Sequence, residues 1–268
     1  IVDYSIFDAI KAGFGKVVFI IKEEFADNFK NIFEPKLKGK IEVEYVFQNF
    51  DLKQFGIQEE IYREKPWGTA HAILSARKTV KEPFCVINAD DFYGFDAYKK
   101  MVDFLSTEVN DANYSIIGYQ IGKTLSDFGA VSRGVCKVDE NGNLAEIVER
   151  TKIYKEGDAI VYEENDTKYP LAFETPVSMN FWGFTPAVFK ITEELFKEFA
   201  LANKENPKAE FFIPLIGENL VRTNTATFKV VPTANQWFGV TYKEDKPFVQ
   251  ESINQLIKDG MYPENLWN

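Results

Sequence analysis

The chain has 268 residues, of which 45% are hydrophobic and 27% charged, and its formal net charge is −10 at pH 7. This is a globular composition that fits one large domain, and the acidic balance excludes nucleic acid as the main partner because phosphate-backbone binding needs a basic surface. We find neither a bilayer-spanning apolar run nor a signal peptide, so we expect a cytoplasmic protein without a membrane partner. Cys85 and Cys136 lie far apart in predicted strands, which indicates buried thiols rather than a disulfide.

Strand and helix patterns alternate through the first 120 residues. This alternation predicts an α/β fold, a three-layer α/β/α (Rossmann-like) domain with a mixed, mostly parallel sheet. Residues 48–64 show little periodicity and are predicted to form a loop. The predicted elements are a helix up to residue 13, a strand over 16–21, a helix over 23–33, a strand over 41–47, a helix over 69–80, an apolar strand ending before Asp90, a helix over 95–105 and a strand over 114–120.

After Gly122 the pattern changes to short strands, which predicts a small β excursion over about 122–176 within a single domain of residues 1–268. Strands at 130–138 and 144–149 are joined by a hairpin turn, while the polar stretch 152–172 is predicted to be a flap. The chain then returns to the core at 177–184. Helices are predicted over 186–200, 213–221 and 243–258, with a strand over 225–231.

The stretch from Glu82 to Gly94 combines a short apolar strand with two adjacent carboxylates, Asp90 and Asp91. In open α/β sheets, ligands bind at the carboxyl ends of strands, where these acids are expected to lie. Carboxylate oxygens at such an edge suit Mg²⁺ that holds substrate phosphates. From this stretch alone, an ordinary Asp-rich turn is an equally good interpretation.

A second informative stretch is Pro66-Trp67-Gly68-Thr69-Ala70, which opens a helix. A glycine there would let a ligand approach the backbone amides, and a helix N-terminus favours negative charge. Thr69 could instead be a plain N-cap with no ligand. Taken alone, the capping interpretation is favoured.

Considered together, the motifs are more specific. Proline-x-glycine-threonine-alanine before a helix, then a strand ending alanine-aspartate-aspartate-x-tyrosine-glycine, resembles the sugar-1-phosphate nucleotidylyltransferases, the NDP-sugar pyrophosphorylases of the GT-A-like fold. Three further segments resemble that family in the same order, and together the similarity covers nearly the whole chain. These segments are Asp127-Phe128-Gly129-Ala130-Val131, Ile147-Val148-Glu149-Arg150-Thr151-Lys152 and Val177-Ser178-Met179-Asn180-Phe181-Trp182-Gly183-Phe184.

The resemblance implies roles for the nucleotide and metal side of a site. The backbone around Pro66, Gly68 and Thr69 would bind the nucleotide, usually through a pyrimidine base. Asp90 would bind Mg²⁺ as well as the nucleotide, and it would be both a catalytic residue and the metal ligand.

For the sugar side, the resemblance implies that Glu149, Asn180 and Gly129 bind the sugar. Arg150 or Lys152 would hold the sugar phosphate as catalytic cations. The family usually has lysine directly after the glutamate, where this chain has Arg150; arginine can replace it through a bidentate grip.

Two departures from the family pattern stand out. The glycine-rich phosphate loop and the first, central strand of the family are not found, which suggests trimming before Ile1 and predicts two unpaired strand edges. Whether this chain is active without the glycine-rich loop is left open by the sequence. Near the C-terminus, Gly239 lies close to where many relatives place a second metal-binding aspartate, and Asp245 is predicted to cap or solvate the last helix instead.

The implied reaction joins a nucleoside triphosphate, UTP or dTTP by preference, and a sugar 1-phosphate to give an NDP-sugar and pyrophosphate. No general base is required because the sugar phosphate is already ionised, and His71, the single histidine, is predicted to pack or lie on the surface. The alternatives are a GT-A glycosyltransferase that uses an NDP-sugar donor, and a non-catalytic nucleotide-sugar-binding or regulatory domain. The sugar, the base and the oligomeric state are not specified by the sequence.

Overall fold

A computed structural model describes all 268 residues of the chain. The helices are α1 (Val2–Ala12), α2 (Ala26–Leu37), α3 (Thr69–Ser75), α4 (Phe95–Thr107), α5 (Val188–Ala202), α6 (Ile213–Arg222) and α7 (Asp245–Lys258). The strands are β1 (Lys16–Ile21), β2 (Glu42–Phe47), β3 (Phe84–Val86), β4 (Asp91–Phe92), β5 (Asn113–Gln120), β6 (Val131–Val138), β7 (Leu144–Glu156), β8 (Ala159–Glu164), β9 (Thr167–Leu171), β10 (Pro176–Phe184), β11 (Thr227–Pro232) and β12 (Phe238–Gly239).

The predicted α/β class is confirmed, and the main sheet is mixed. It has eight strands in the order β11-β5-β10-β6-β7-β8-β9, with β3 also paired to β10. The expectation of a mostly parallel sheet is wrong, because only β1–β2 and β5–β11 pair in parallel. Parallel neighbours need a crossover connection, whereas hairpins, not helices, join β6 to β9 in this chain.

Strands β1 and β3, which come from the first part of the chain, each have a single partner. β1 pairs only with β2, in a separate two-stranded sheet, and β3 pairs only with β10. Residues of β3 are all half-buried, whereas six consecutive residues of β5 are buried. One edge of β1 and one edge of β3 are therefore without a strand partner.

Residues 152–172 form regular strands, so the expectation of an irregular flap is wrong. β7 runs on to Glu156, and β8 and β9 continue the antiparallel sheet. Cross-strand ion pairs join Lys152 to Glu163 and Lys168 to Glu156 on this part of the sheet. The polar composition therefore reflects a solvated sheet rather than a loop.

Helix α3 ends at Ser75, five residues before the predicted boundary. The Arg77 guanidinium donates a hydrogen bond to the Leu74 carbonyl, and the backbone continues as turns from Ala76 to Val80. The last carbonyls of the helix therefore have partners other than the next helical turn.

Two large hydrophobic clusters, both rich in aromatic residues, pack against the main sheet. The larger cluster has 27 buried residues, including Trp182, Phe184 and Phe228. The other has 14, including Tyr93 and Phe181, and it packs behind the loop that carries Asp90. Burial of this much aromatic surface makes the positions of the strand ends rigid.

Helix length and composition give no membrane-crossing candidate among the seven helices. Both cysteines are free thiols, and Cys136 is buried.

Candidate active site

A polar cavity of about 250 Å³ lies beside the β3–β4 loop and over residues within β6, β7 and β10. The β3–β4 loop, β6, β7, β10 and the segment around β12 contribute to its wall, with one residue from α6. The lining residues are Asn88, Asp90, Asp91, Ser132, Arg133, Gly134, Glu149, Ser178, Met179, Asn180, Pro214, Trp237, Val240 and Thr241.

The two adjacent aspartates differ in environment. Asp90 is exposed at the cavity wall, whereas Asp91 is only 8% exposed. One carboxylate oxygen of Asp91, Oδ2, accepts a hydrogen bond from Asn88 Nδ2 at 2.9 Å, and the Tyr93 hydroxyl oxygen lies 3.3 Å from it. Burial, with the nearby Asp90 charge adding to it, raises the pKa of Asp91 to about 6. Asp90 therefore presents a free carboxylate to the cavity, while Asp91 is held in the wall behind it.

Gly239 lies directly opposite Asp91 in the β4–β12 pair. A Cβ atom at position 239 would lie 2.5 Å from Asp91 Oδ1 and 2.8 Å from a ring carbon of Trp237. A side chain at position 239 would have to displace Asp91 or Trp237, and Gly239 itself offers no second carboxylate. Asp245 is the first residue of α7, but it is buried, and its oxygens accept hydrogen bonds from the Tyr242 amide and the Ser126 hydroxyl, both outside the helix. The expectation that Asp245 caps or solvates the last helix is therefore wrong.

Asn180 reaches the cavity through an irregularity in β10. The register of β10 against β5 shifts between Ser178 and Trp182, and Asn180 adopts a φ of 60°. Asparagine tolerates this left-handed conformation better than most residues. The Ser178 hydroxyl accepts a hydrogen bond from the Asn180 amide at 3.2 Å, and the Tyr93 hydroxyl donates to the Met179 carbonyl at 2.8 Å. Hydrogen bonds within β10 and from Tyr93 therefore stabilise the irregular backbone at residues 178–180.

Glu149 lies on β7 opposite Gly134 of β6, and both residues line the cavity. Partial burial raises the pKa of Glu149, and the Arg133 charge opposes that rise. Because Gly134 has no side chain, the carboxylate beside it is not screened from the cavity by its cross-strand neighbour.

Arg133 is a site residue that the sequence reasoning did not identify. It lies on β6, is 8% exposed, and its guanidinium lies 4.8 Å from the centre of the Trp237 ring. It donates hydrogen bonds to the Ser132 carbonyl at 2.7 Å, to the Thr124 hydroxyl at 3.3 Å and to the Thr124 carbonyl. The only available signal was a charged residue between Val131 and Val135 of β6, and Lys137 of the same strand gives a similar signal without lining the cavity.

Arg150 and Lys152 do not line this cavity. The Arg150 guanidinium lies 4.4 Å from the centre of the Tyr162 ring and pairs with Glu164 at 2.7 Å. Lys152 pairs with Glu163 at 2.7 Å. Both cations are therefore engaged on the β8 side of the sheet in this structure.

The Gly68 loop is also outside the cavity, because another part of the chain fills it. The Trp67 carbonyl accepts a hydrogen bond from the Phe211 amide at 2.6 Å, and the Ala70 amide donates to the Phe211 carbonyl at 2.9 Å. The Thr69 hydroxyl accepts a hydrogen bond from the Ile213 amide at 3.2 Å. A Cβ on Gly68 would lie 2.6 Å from the Phe211 carbonyl oxygen, so the glycine permits close backbone packing here.

The remaining predicted residues also lie outside the cavity wall. Pro66 directly precedes Trp67 in the closed loop, and Gly129 packs against the Tyr242 ring, whose hydroxyl would lie 2.6 Å from an added Cβ. His71 is buried on α3 between aromatic rings, with its Nδ1 3.0 Å from Gln48 Nε2. His71 therefore packs in the core, which is one of the two roles expected for it.

The donor set suits a hard cation that takes most of its ligands from the substrate. No group of three or more histidine, cysteine, aspartate or glutamate side chains converges as a metal site. Asp90 nevertheless offers a free carboxylate on a polar cavity, and Mg²⁺ commonly uses one or two protein carboxylates together with substrate phosphates. The cavity therefore fits Mg²⁺ that arrives with a phosphorylated substrate.

Comparison with known proteins agrees with the fold. The model of the nucleotidyl transferase family matches residues 1–240. Among solved structures, HddC from Yersinia pseudotuberculosis is similar with a TM-score of 0.53 at 16% identity, over 93% of this chain and 84% of that one. No curated protein sequence matches. At this identity the structural likeness concerns the fold alone.

Proposed function

Since this chain belongs to the nucleotidyl transferase family, we propose that it joins a nucleoside triphosphate and a sugar 1-phosphate to give an NDP-sugar and pyrophosphate. The observation that carries this proposal is the shared cavity of Asp90, Glu149 and Asn180. These three residues come from separate segments of the sequence and line one cavity.

The chemistry needs little from the side chains beyond position and charge. A phosphate oxygen of the sugar 1-phosphate attacks the α-phosphorus of the triphosphate, and the bond to the pyrophosphate leaving group breaks. The nucleophile is already ionised at neutral pH, so no general base is needed. Asp90 would hold Mg²⁺, which when bound neutralises charge on the transferring phosphates.

Glu149 and Asn180 would orient the sugar. A carboxylate accepts hydrogen bonds from hydroxyl groups, and an amide can both donate and accept them. Both residues line one polar cavity of about 250 Å³, and we propose that it takes a glucose-like sugar. For the base we propose a pyrimidine, with UTP or dTTP as the nucleotide.

Pyrophosphate release tests the proposal. We expect Mg²⁺-dependent release of pyrophosphate when the protein is incubated with UTP or dTTP and glucose 1-phosphate. We expect no release when EDTA removes Mg²⁺, and none when free glucose replaces glucose 1-phosphate. A glycosyltransferase would instead consume an NDP-sugar without producing pyrophosphate. A protein that binds an NDP-sugar but neither releases pyrophosphate nor consumes the NDP-sugar would be a binding or regulatory domain.

A further inference from the structure

The charges of the cavity are unequally distributed. Of its 14 lining residues, three are acidic, namely Asp90, Asp91 and Glu149, and Arg133 is the single cation. A phosphorylated substrate would bring further negative charge into this space. The cavity therefore needs positive charge at a fixed place, and Arg133 is the protein group that can supply it.

Arg133 is buried without an ion-pair partner. Its exposed fraction is 8%, and no carboxylate lies within salt-bridge distance of its guanidinium, whose bonds go to Ser132 and Thr124. A buried cation without an anion is costly, so such groups are usually paired. Asp91, Glu149 and Asp245 are near enough to interact through charge, but none of them bonds to it.

The guanidinium also retains donor capacity. Arginine has five N–H groups, and three hydrogen bonds are formed here, which leaves two N–H groups without a protein acceptor. The same three bonds, together with the stacking on Trp237, hold the guanidinium plane in one orientation. A fixed, planar cation with free donors matches the geometry of a phosphate group, which arginine can bind through two parallel hydrogen bonds.

We infer that Arg133 binds a phosphate group of the substrate in this cavity, in the place that the family resemblance assigns to Arg150 or Lys152. The inference deepens the proposed function and rests on it for the identity of the phosphate. Arg150 is the cross-strand neighbour of Arg133, but its charge is already paired with Glu164. The phosphate-binding cation of this chain therefore lies on β6 rather than on β7.

Calorimetric titration with pyrophosphate and with glucose 1-phosphate, in the presence of Mg²⁺, tests the inference. We expect Arg133→Gln to raise the Kd for at least one of these probes about 10- to 100-fold, the range for loss of charge-assisted hydrogen bonds. Arg133→Lys retains the charge without the planar fork and should give a smaller rise. Glucose, which lacks the phosphate, should bind wild type and variants alike.

A control variant separates binding from folding. Arg222→Gln removes an exposed arginine that does not line the cavity, and we expect this variant to keep the wild-type Kd. If Arg133 were only structural, Arg133→Gln would lower the melting temperature and leave the Kd of the folded protein unchanged. That result would overturn the inference, as would a loss of phosphate binding in Arg150→Gln but not in Arg133→Gln.

The two phosphate probes identify the source of the phosphate. A higher Kd for glucose 1-phosphate places the sugar phosphate on Arg133, and a higher Kd for pyrophosphate places the nucleotide phosphates there. Wild-type protein that binds neither probe would also overturn the inference. Failure of the proposed function is a separate result, because it is measured as absence of pyrophosphate release and not as a Kd.

Discussion

The sequence predicts a ligand site both at Asp90 and at the Gly68 loop, but the two regions differ in the structure. Asp90 borders an open cavity, whereas the Gly68 loop is packed against another segment of the chain. Both follow a chain segment with glycine and polar residues at the edge of a regular element, and both have a plausible ligand interpretation. At the cavity, Asp90, Glu149 and Asn180 lie around open space. At the loop, the backbone of Phe211 occupies the space beside Gly68, and the polar groups of residues 67–70 bond to residues 211 and 213.

The difference shows what a glycine or a cap residue can and cannot indicate. Backbone amides at a helix N-terminus bind anions only if nothing else takes them. The segment after Ala209 supplies backbone partners for the Gly68 loop, so the local signal is used within the fold. No segment supplies partners for the Asp90 carboxylate or for the last two donors of Arg133, and that is why the cavity is the candidate site.

Replacing Asp90 tests the cavity side of this comparison and should have the largest effect. Asp90→Asn keeps the size of the side chain but removes the charge that would hold Mg²⁺, so we expect kcat for pyrophosphate release to fall by about 10²–10³-fold, as for loss of one electrostatic group in a reaction centre. Asp103→Asn is the matched control, because Asp103 is an exposed aspartate on α4. A wild-type rate in Asp90→Asn would contradict the metal assignment.

His71 tests the loop side, because it lies on the helix that Gly68 opens. Burial, reinforced by the charges of Arg77 and Arg63, lowers the pKa of His71 to about 4. Between pH 6.5 and pH 4 the unfolded chain binds a proton that the folded chain does not, so stability rises with pH in this window and falls on acidification. The unfolding free energy of the protein should therefore fall by about 3 kcal/mol between pH 7 and pH 4 because of His71.

The measurement for His71 is a pair of urea unfolding series, one for wild type and one for His71→Gln, at pH 7 and pH 4. The gap in unfolding free energy between the two proteins should shift in favour of the variant by about 3 kcal/mol on acidification. An unchanged gap would mean that His71 is not held neutral by its surroundings. Phosphate-probe binding at pH 7 should be the same in both proteins, since His71 does not line the cavity.

Gly68→Ala should have the next largest effect, and on stability rather than on ligand binding. Gly68 has a φ of 98°, and the new Cβ would meet the Phe211 backbone at 2.6 Å, so we expect a loss of about 1–3 kcal/mol of unfolding free energy. Gly142→Ala is the matched control, since Gly142 has a φ of 82° with open space around it. Equal losses in the two variants would show that the packing of Phe211 against Gly68 contributes nothing.

Much of the fold follows from local patterns in the sequence. Hydrophobic periodicity predicted β1, β5 and α4 to within one or two residues, because each element buries a face of its own. The direction of strand pairing did not follow, since it depends on which hairpins connect the strands. The polar stretch 152–172 was misinterpreted because charged cross-strand pairs, such as Lys168 with Glu156, hide the alternation that identifies a strand.

The site was predictable where a residue type carries chemistry on its own. Asp90, Glu149 and Asn180 belong to recognisable segments, and the structure brings them to one cavity. Arg133 gave no comparable signal, because its importance depends on burial, on the Trp237 ring and on the absence of a paired carboxylate. The family resemblance implied the roles of Arg150 and Lys152 from their positions shortly after Glu149, and residues close in a sequence need not face the same space.

Glu149 gives the smallest expected effect and the finest test of how the cavity is divided between substrates. Glu149→Ala removes a hydrogen-bond acceptor for sugar hydroxyls, so we expect the KM for sugar 1-phosphate to rise about 10-fold while the KM for the nucleotide stays near the wild-type value. Glu146→Ala on the same strand is the control, because Glu146 is exposed and does not line the cavity. If both KM values rise equally in Glu149→Ala, Glu149 supports the wall of the cavity as a whole, and the sugar side must then be sought at Asn180.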